Sequence, residues 1–331
     1  MISEIELIRR IKGQVLPADA DLVKGIGDDC AVLASPGAES LTLVTTDTLV
    51  EGVHFDLSWH PPHLLGHKAV AVNVSDIAAM GGRPRFALLS LAAPAQAGLD
   101  LLDPLLQGFM AALARYRVTL IGGDTVRSEQ GLVLSITLLG EVGRDQLIQR
   151  AGARPWDQVW VSGPLGQAAA GLTICRQGRS ELSVSHAELV QAHLDPQPET
   201  ALGAALAASG LVTSMIDLSD GLATDLAHIC EESGVGAVVT AEALPISDST
   251  REAARILGLD PLRLAIAGGE DYRLLFTAPL SAGHKLRELA HLATGGQLFR
   301  VGEIGGGQGV RLRCKGRDTR IDFQGYDHFS G

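Results

Sequence analysis

The sequence predicts an α/β protein, mixed α+β in character, built as two domains. Three observations carry this. At 331 residues the chain is long for one hydrophobic core. Strand-like and helix-like segments alternate throughout, which favours layered α and β over a helical bundle. A polar, basic stretch at 143–158, GRDQLIQRAGARPWDQ, interrupts the apolar pattern and sets the boundary, giving domains 1–145 and 146–331.

The elements follow in order. MISEIELIRRIK alternates charge with aliphatics and reads as a short amphipathic helix, without the apolar core of a signal peptide. SLTLVTTD (40–47) and VTLIGGD (118–124) are β-branched strands, each ending in an aspartate, and LVLSITLLGEV (132–142) is a third. Between them LLGHKAVAVNVSDIAAMGG (64–82) and LDLLDPLLQGFMAALARY (99–116) read as helices, the latter with Pro104 in its first turn. Past the boundary, QVWVSGPLGQAAAGLTICRQG reads as strand, turn and helix, and HLDPQPET (193–200) leads into another helix. GVGAVVTAE, the second half of GGEDYRLLFTAP, and GQLFRVGEI (296–304) supply further strands.

Composition removes several function classes. The net charge is −11 with no basic stripe, which argues against nucleic acid as a partner. No apolar run is long enough to span a bilayer. Cys30, Cys175, Cys230 and Cys314 are far apart with no C-x-x-C and no nearby histidine pairing, which argues against zinc and suits small buried core thiols in a reducing compartment. Glycine is abundant, 39 residues or about 12% against a usual 7%, and many glycines sit beside aspartates.

Those aspartates are the chemical signal. GIGDDCAVL carries Asp28 and Asp29 behind a Gly-x-Gly turn. VTTDTLVEGVHF carries Asp47 beside Thr45 and Thr46. Asp76 is the one charge in the otherwise apolar AVAVNVSDIAAM, LIGGDTVRS carries Asp124, and IDLSDGLATDL holds Asp217, Asp220 and Asp225. Any one alone is an ordinary turn former, cap or salt-bridge partner. Five such places in one chain, with no histidine cluster, point to hard oxygen ligands for several Mg²⁺ ions that clamp a polyphosphate. The glycines let backbone N–H groups approach phosphate oxygens. G-x-x-x-x-G-K-[ST], the protein-kinase motif set, G-x-S-x-G, G-x-G-x-x-G and the EF-hand spacing are all absent, so an ATP site here follows another plan.

GIGDDCAVL, TTDTLVEGVHF, KAVAVNVSDIAAMGG, IGGDT, IDLSDGL, GGEDY and GYDHF occur in this order along nearly the whole chain. In this it resembles the thiamine-monophosphate kinase family, within the superfamily that includes aminoimidazole ribonucleotide synthetase and selenophosphate synthetase. The resemblance implies an N-terminal mixed-sheet domain that pairs across a homodimer, and a C-terminal α/β sandwich domain that completes the site. It implies Mg²⁺ ligation by Asp29, Asp47, Asp76, Asp124 and Asp217, helped by Thr45 and Thr46, with Asp220 on a further ion. ATP would meet Gly123, Asp124, Arg150 and Ser219; Arg144 and Arg154 are the alternatives to Arg150. Asp28 either stands behind Asp29 or shares its metal. His54, Glu270 and Tyr326 would face thiamine monophosphate.

The implied reaction is direct in-line transfer of the ATP γ-phosphoryl group to thiamine monophosphate. The acceptor phosphate, with a second pKa of roughly 6, is already largely deprotonated, so no acid–base residue is assigned. The alternatives are another small-molecule kinase or a Mg²⁺-dependent phosphohydrolase of the same superfamily, separated by product analysis. A non-catalytic nucleotide sensor would not need so many carboxylates. Selenophosphate synthetase is disfavoured because KGIGDDC lacks that family's reactive cysteine loop.

Overall fold

The computed structural model describes residues 4–15, 19–35 and 37–321, which form two mixed sheets covered by helices. The first sheet contains β1 (Leu22–Lys24), β2 (Ala31–Ala34), β3 (Ser40–Val50), β4 (Arg83–Pro94), β5 (Thr119–Ser128) and β6 (Val133–Gly143). Their spatial order is β1-β2-β3-β6-β4-β5, antiparallel throughout except for the parallel β4–β5 pair. Helix α1 (Glu4–Lys12) precedes this sheet; α2 (Pro62–Ala79) and α3 (Leu99–Tyr116) belong to the same half of the chain.

The pairing of β3 with β6 runs unbroken from Ser40↔Gly143 to Val50↔Val133. Alternation along it buries Leu43, Ile136 and Leu138 with Val70, Val74 and Ile77 of α2. Thr46, Thr48, Ser135 and Thr137 take the opposite, helix-free face. This long ladder corrects one expectation: β3 and β5 do not end at Asp47 and Asp124, because the residues beyond them still pair. Pro104 is corrected too. With α3 starting at Leu99, Pro104 falls in the second turn.

α2 and α3 cross closely because two glycines let them. A Cβ on Gly66 would lie 2.2 Å from the Leu105 carbonyl oxygen, and one on Gly108 1.9 Å from that of His63. α2 also packs against β8 and α7 of the second half, which accounts for a helix apolar on every side.

The second sheet contains β7 (Gln158–Val161), β8 (Ser214–Asp217), β9 (Gly236–Thr240), β10 (Leu274–Ala278), β11 (Phe299–Gly305), β12 (Gly309–Cys314) and β13 (Arg317–Arg320). Their order is β13-β12-β9-β11-β7-β10-β8. The helices of this half are α4 (Gln167–Gln177), α5 (Ser180–Ser185), α6 (Ala187–Leu194), α7 (Thr200–Ser209), α8 (Leu222–Ser233), α9 (Asp248–Leu257), α10 (Pro261–Ala267) and α11 (Gly283–Thr294). The central strands are buried on both faces. Val159, Val161 and Leu275 pack with Leu226 and Ile229 of α8, whereas Trp160, Leu274 and Phe276 pack with Leu206 of α7 and Leu286 of α11. Such strands read as continuous apolar runs, as QVWV does. The polar linker HLDPQPET conceals α6, whose last residues it contains. Cys30, Cys175 and Cys230 are buried and unpaired, but Cys314 is only half-buried on β12.

Candidate active site

Carboxylates from three elements converge where the two halves meet. Asp29 precedes β2, Asp76 lies in the last turn of α2, and Asp217 closes β8; one oxygen of each lies within 4.8 Å of the others. Three aspartates packed so tightly repel one another, and neighbouring groups offset only part of the cost. Thr45 donates its hydroxyl to Asp76 Oδ2 at 2.5 Å. Arg150 reaches Asp29 Oδ1 through Nη2 at 2.6 Å and Nε at 3.2 Å. Asn73 Oδ1 accepts the Asp47 N–H at 3.1 Å, fixing β3 to α2.

The remaining imbalance appears as proton affinity. Burial, above all, pushes Asp29, Asp47 and Asp217 up to about 6; neighbouring aspartates add to it, Arg150 opposes it at Asp29, and the Ser75 hydroxyl and then Arg150 oppose it at Asp217. Burial and then the charges of Asp47, Asp217 and Asp29 put Asp76 well above the usual carboxylate range. Among the described residues, Asp29 Oδ2 and Asp217 Oδ2 are buried without a hydrogen-bond donor. Buried oxygens of this kind, in an all-carboxylate and hydroxyl donor set, fit a hard divalent cation.

The other predicted residues divide by position. Asp47, Asp220, Ser219, His54 and Glu270 join Asp76 and Asp217 in lining one cavity of about 420 Å³. His54 Nδ1 also accepts the Val50 N–H at 3.0 Å. Asp28 stands behind Asp29: it accepts the Arg150 N–H at 3.3 Å and lies 3.5 Å from Lys24 Nζ. Of the three candidate arginines, Arg150 meets the carboxylate group, whereas Arg144 Nε donates to the Ala38 carbonyl at 3.1 Å and Arg154 lines a separate surface hollow.

Thr46 and Asp124 are not brought to the cluster within this chain. Thr46 hydrogen-bonds Thr137 across the helix-free face of the first sheet. Asp124 is in register with Ser90, which pairs with Ser135, and so shares that same face. It lies three strands from β3, about 14 Å along the sheet, and Gly123 accompanies it on exposed β5. Tyr326 lies outside the described residues. Asp225, the third acid of IDLSDGLATDL, instead has a capping role, its Oδ2 accepting the N–H groups of Gly221 at 3.0 Å and Asp220 at 3.3 Å.

The cavity also holds residues that motif reading passed over: Trp59, His193 and Arg176 line it, and the buried Lys68 reaches Glu270. Lys68 Nζ is 2.7 Å from Glu270 Oε1, and His193 Nδ1 is 2.7 Å from Oε2. Lys68 was legible in principle, since it stands at the head of the same apolar run as Asp76. His193 and Trp59 come from other parts of the chain, and no local pattern marks them. The cavity therefore brings together a cation-ready anionic centre, the Glu270 carboxylate and the aromatic ring of Trp59.

Comparisons with known proteins show the family. The model of the AIR synthase related protein N-terminal domain matches residues 27–142, and that of the C-terminal domain matches residues 155–315. A curated thiamine-monophosphate kinase of Salmonella typhimurium is 38% identical, covering 99% of this chain and 98% of its own. A solved structure described as AaThiL complexed with AMPPCP and TMP superposes with a TM-score of 0.86 at 33% identity, covering 99% of this chain and 97% of the other. The thiamine-monophosphate kinase structure from Stenotrophomonas maltophilia gives a TM-score of 0.77 at 38% identity, covering 95% and 96%. Matched in both halves and over nearly its full length, the chain belongs to the thiamine-monophosphate kinase family.

Proposed function

We propose that this protein transfers the γ-phosphoryl group of ATP to thiamine monophosphate, yielding thiamine diphosphate and ADP. The observation that carries the reading is the single cavity lined by Asp47, Asp76, Asp217 and Asp220 together with Glu270 and Trp59. A phosphorylated heterocycle bound there would turn its phosphate toward these aspartates, where a cation could meet it. The similar AaThiL chain is described as complexed with AMPPCP and TMP, an ATP analogue and the same acceptor class.

Asp29, Asp47, Asp76, Asp217 and Asp220, with Thr45, are the residues that would hold Mg²⁺. Bound there, Mg²⁺ would neutralise charge on the reacting phosphates and help align them. Arg150 balances Asp29, and Ser219 lies on the loop that carries Asp220. His54 and Glu270 belong to the acceptor side; the family resemblance adds Tyr326, which lies outside the described residues. None of these is required as a general base, because the acceptor oxygen is already ionised near neutral pH. Ser219 lies in DLSDG, which is not the G-x-S-x-G elbow of an activated serine nucleophile, and this favours direct in-line transfer.

A homodimer is part of the reading. β5 is an edge strand exposed along nearly its whole length, with Ile121 and Val126 half-exposed, and an open apolar edge is a template for pairing. Asp124 and Gly123 lie on that edge, too far to serve the carboxylate group of their own chain. We assign them to the partner's nucleotide site, across the dimer. The cytoplasm is the proposed location, since a reducing compartment suits the unpaired cysteines.

The test is to supply Mg·ATP and thiamine monophosphate and to resolve the products by phosphorus NMR. Stoichiometric ADP and thiamine diphosphate support the assignment. Release of inorganic phosphate with no diphosphate would identify a phosphohydrolase instead.

A further inference from the structure

Lys68 is fully buried on α2, where a lone ammonium would be strongly unfavourable. Its charge is met by Glu270 Oε1 at 2.7 Å, while the second oxygen meets His193 Nδ1 at the same distance. Both carboxylate oxygens are thus met by side chains with at most 1% exposure, and Glu270, like His193, lines the cavity.

The charge states follow from the surroundings. Burial, and then the charge of Lys68, lowers the proton affinity of His193, and the same two causes bring His60 down to about 3. His193 is therefore a neutral ring at neutral pH. With Nδ1 2.7 Å from a Glu270 oxygen, the Nδ1–H tautomer is the one that can offer Glu270 a donor. Trp59 tilts against His193 with ring centroids 5.5 Å apart and stacks on His60 at 5.9 Å, holding the imidazole in place.

α2 ties this group to the opposite end of the site. Lys68 and Asp76 are eight residues apart on one helix, a rise of about 12 Å. The helix that carries Asp76 toward the carboxylate cluster thereby also sets the position of Glu270.

We infer that Lys68 and His193 are positioning residues that fix the Glu270 carboxylate against the acceptor's ring, selecting a heterocycle that offers an amino group. This rests on the reading of Glu270 as the acceptor-side carboxylate. Neither residue touches the reacting phosphates. Their influence belongs in acceptor affinity and in discrimination between acceptors.

Steady-state kinetics of Glu270→Gln, Lys68→Met, His193→Leu, His193→Gln and the Lys68→Met/Glu270→Gln pair test it. Each is assayed with thiamine monophosphate and with an analogue in which hydrogen replaces the pyrimidine amino group. Lys68→Met is expected to raise the acceptor KM at least tenfold, leave the ATP KM within twofold, and lose most discrimination against the analogue. His193→Leu should do the same more weakly, with His193→Gln restoring part of the loss. The double variant removes both charges, so no buried charge is left unpaired and it folds even where Lys68→Met does not. It should be no worse than Glu270→Gln alone, because Lys68 acts through Glu270. Full discrimination in Lys68→Met, or multiplicative losses in the pair, overturns the inference while Glu270→Gln still raises the acceptor KM. An unchanged acceptor KM in Glu270→Gln would instead remove the underlying reading of Glu270.

Discussion

The main-chain N–H of Glu270 donates to the carbonyl of Ser219 at 2.8 Å, and that of Tyr272 donates to Leu218 at 2.8 Å. These bonds carry the β8–β10 pairing past the strand ends, so the loop of Asp220 and the loop of Glu270 move as one piece. The cost is local: Glu270 at φ 66° and Tyr272 at φ 47° occupy the left-handed region that non-glycine residues rarely adopt. Asp271 between them is anchored as well, accepting the N–H groups of Gly166 at 2.6 Å and Ala168 at 3.1 Å at the start of α4.

Disturbing this junction should separate the two ends of the site. A Cβ on Gly269 would lie 2.5 Å from the Ser219 carbonyl oxygen. Gly269→Ala is expected to lower kcat/KM by about 100-fold, the scale of a 1 Å misplacement of aligned reactants. Steady-state kinetics on folded protein, checked by circular dichroism, decide it. Unchanged kcat/KM would show that the junction does not align the ends.

Removing one carboxylate should trade activity for stability. Asp217→Asn is expected to abolish measurable turnover and to stabilise the metal-free protein at pH 7.5 by about 1–3 kcal/mol, since its carboxyl is pushed up to about 6. Chemical denaturation in EDTA measures the stability. Destabilisation there would mean that Asp217 is held by partners rather than poised for a cation.

The Mg²⁺ effect on stability should depend on pH with a definite sign. Asp29, Asp47 and Asp217 have proton affinities raised from 3.8 to about 6 in the folded state, so their contribution to stability is full below pH 4 and is lost as pH rises through 6. Mg²⁺ at these oxygens would offset that loss. The rise in Tm on adding Mg²⁺ is therefore expected to be larger at pH 7.5 than at pH 5. Buried neutral histidines such as His60 contribute equally with and without the ion and cancel in the difference. A Tm increment independent of pH would place the ion elsewhere.

Asp124 supplies a test of the dimer. Asp47→Asn and Asp124→Asn are each expected to be inactive as homodimers. If Asp124 serves the partner's site, a mixed dimer of the two variants contains one intact site, so unfolding and refolding them together should recover about a quarter of wild-type activity. No recovery despite subunit exchange would place both residues in one chain's site.

Much of the fold was legible because local pattern and tertiary role agree. The alternation in LVLSITLLGEV matches the face-by-face burial of β6, and the all-round apolarity of α2 reflects its place between the halves. The convergence of Asp29, Asp76 and Asp217 was legible only as a list of suspicious acids, since their spacing in sequence carries no geometry. Strand ends were read too early at Asp47 and Asp124, because a carboxylate inside a strand is unusual until the cross-strand register shows what pairs beyond it. Lys68 and His193 were missed for a related reason. A buried lysine is significant only beside its counter-ion, and Glu270 is some 200 residues further along the chain.

The central claim is phosphoryl transfer to an acceptor that already bears a phosphate, held between the carboxylate end and Glu270. The most direct measurement gives the purified protein Mg·ATP with either thiamine monophosphate or unphosphorylated thiamine and resolves the products by chromatography. Thiamine would place a hydroxyl, a poorer nucleophile at neutral pH, where a phosphate should meet the ions. The account predicts efficient conversion of the monophosphate to the diphosphate and almost none of thiamine. Comparable conversion of thiamine, or no diphosphate from the monophosphate, would contradict it.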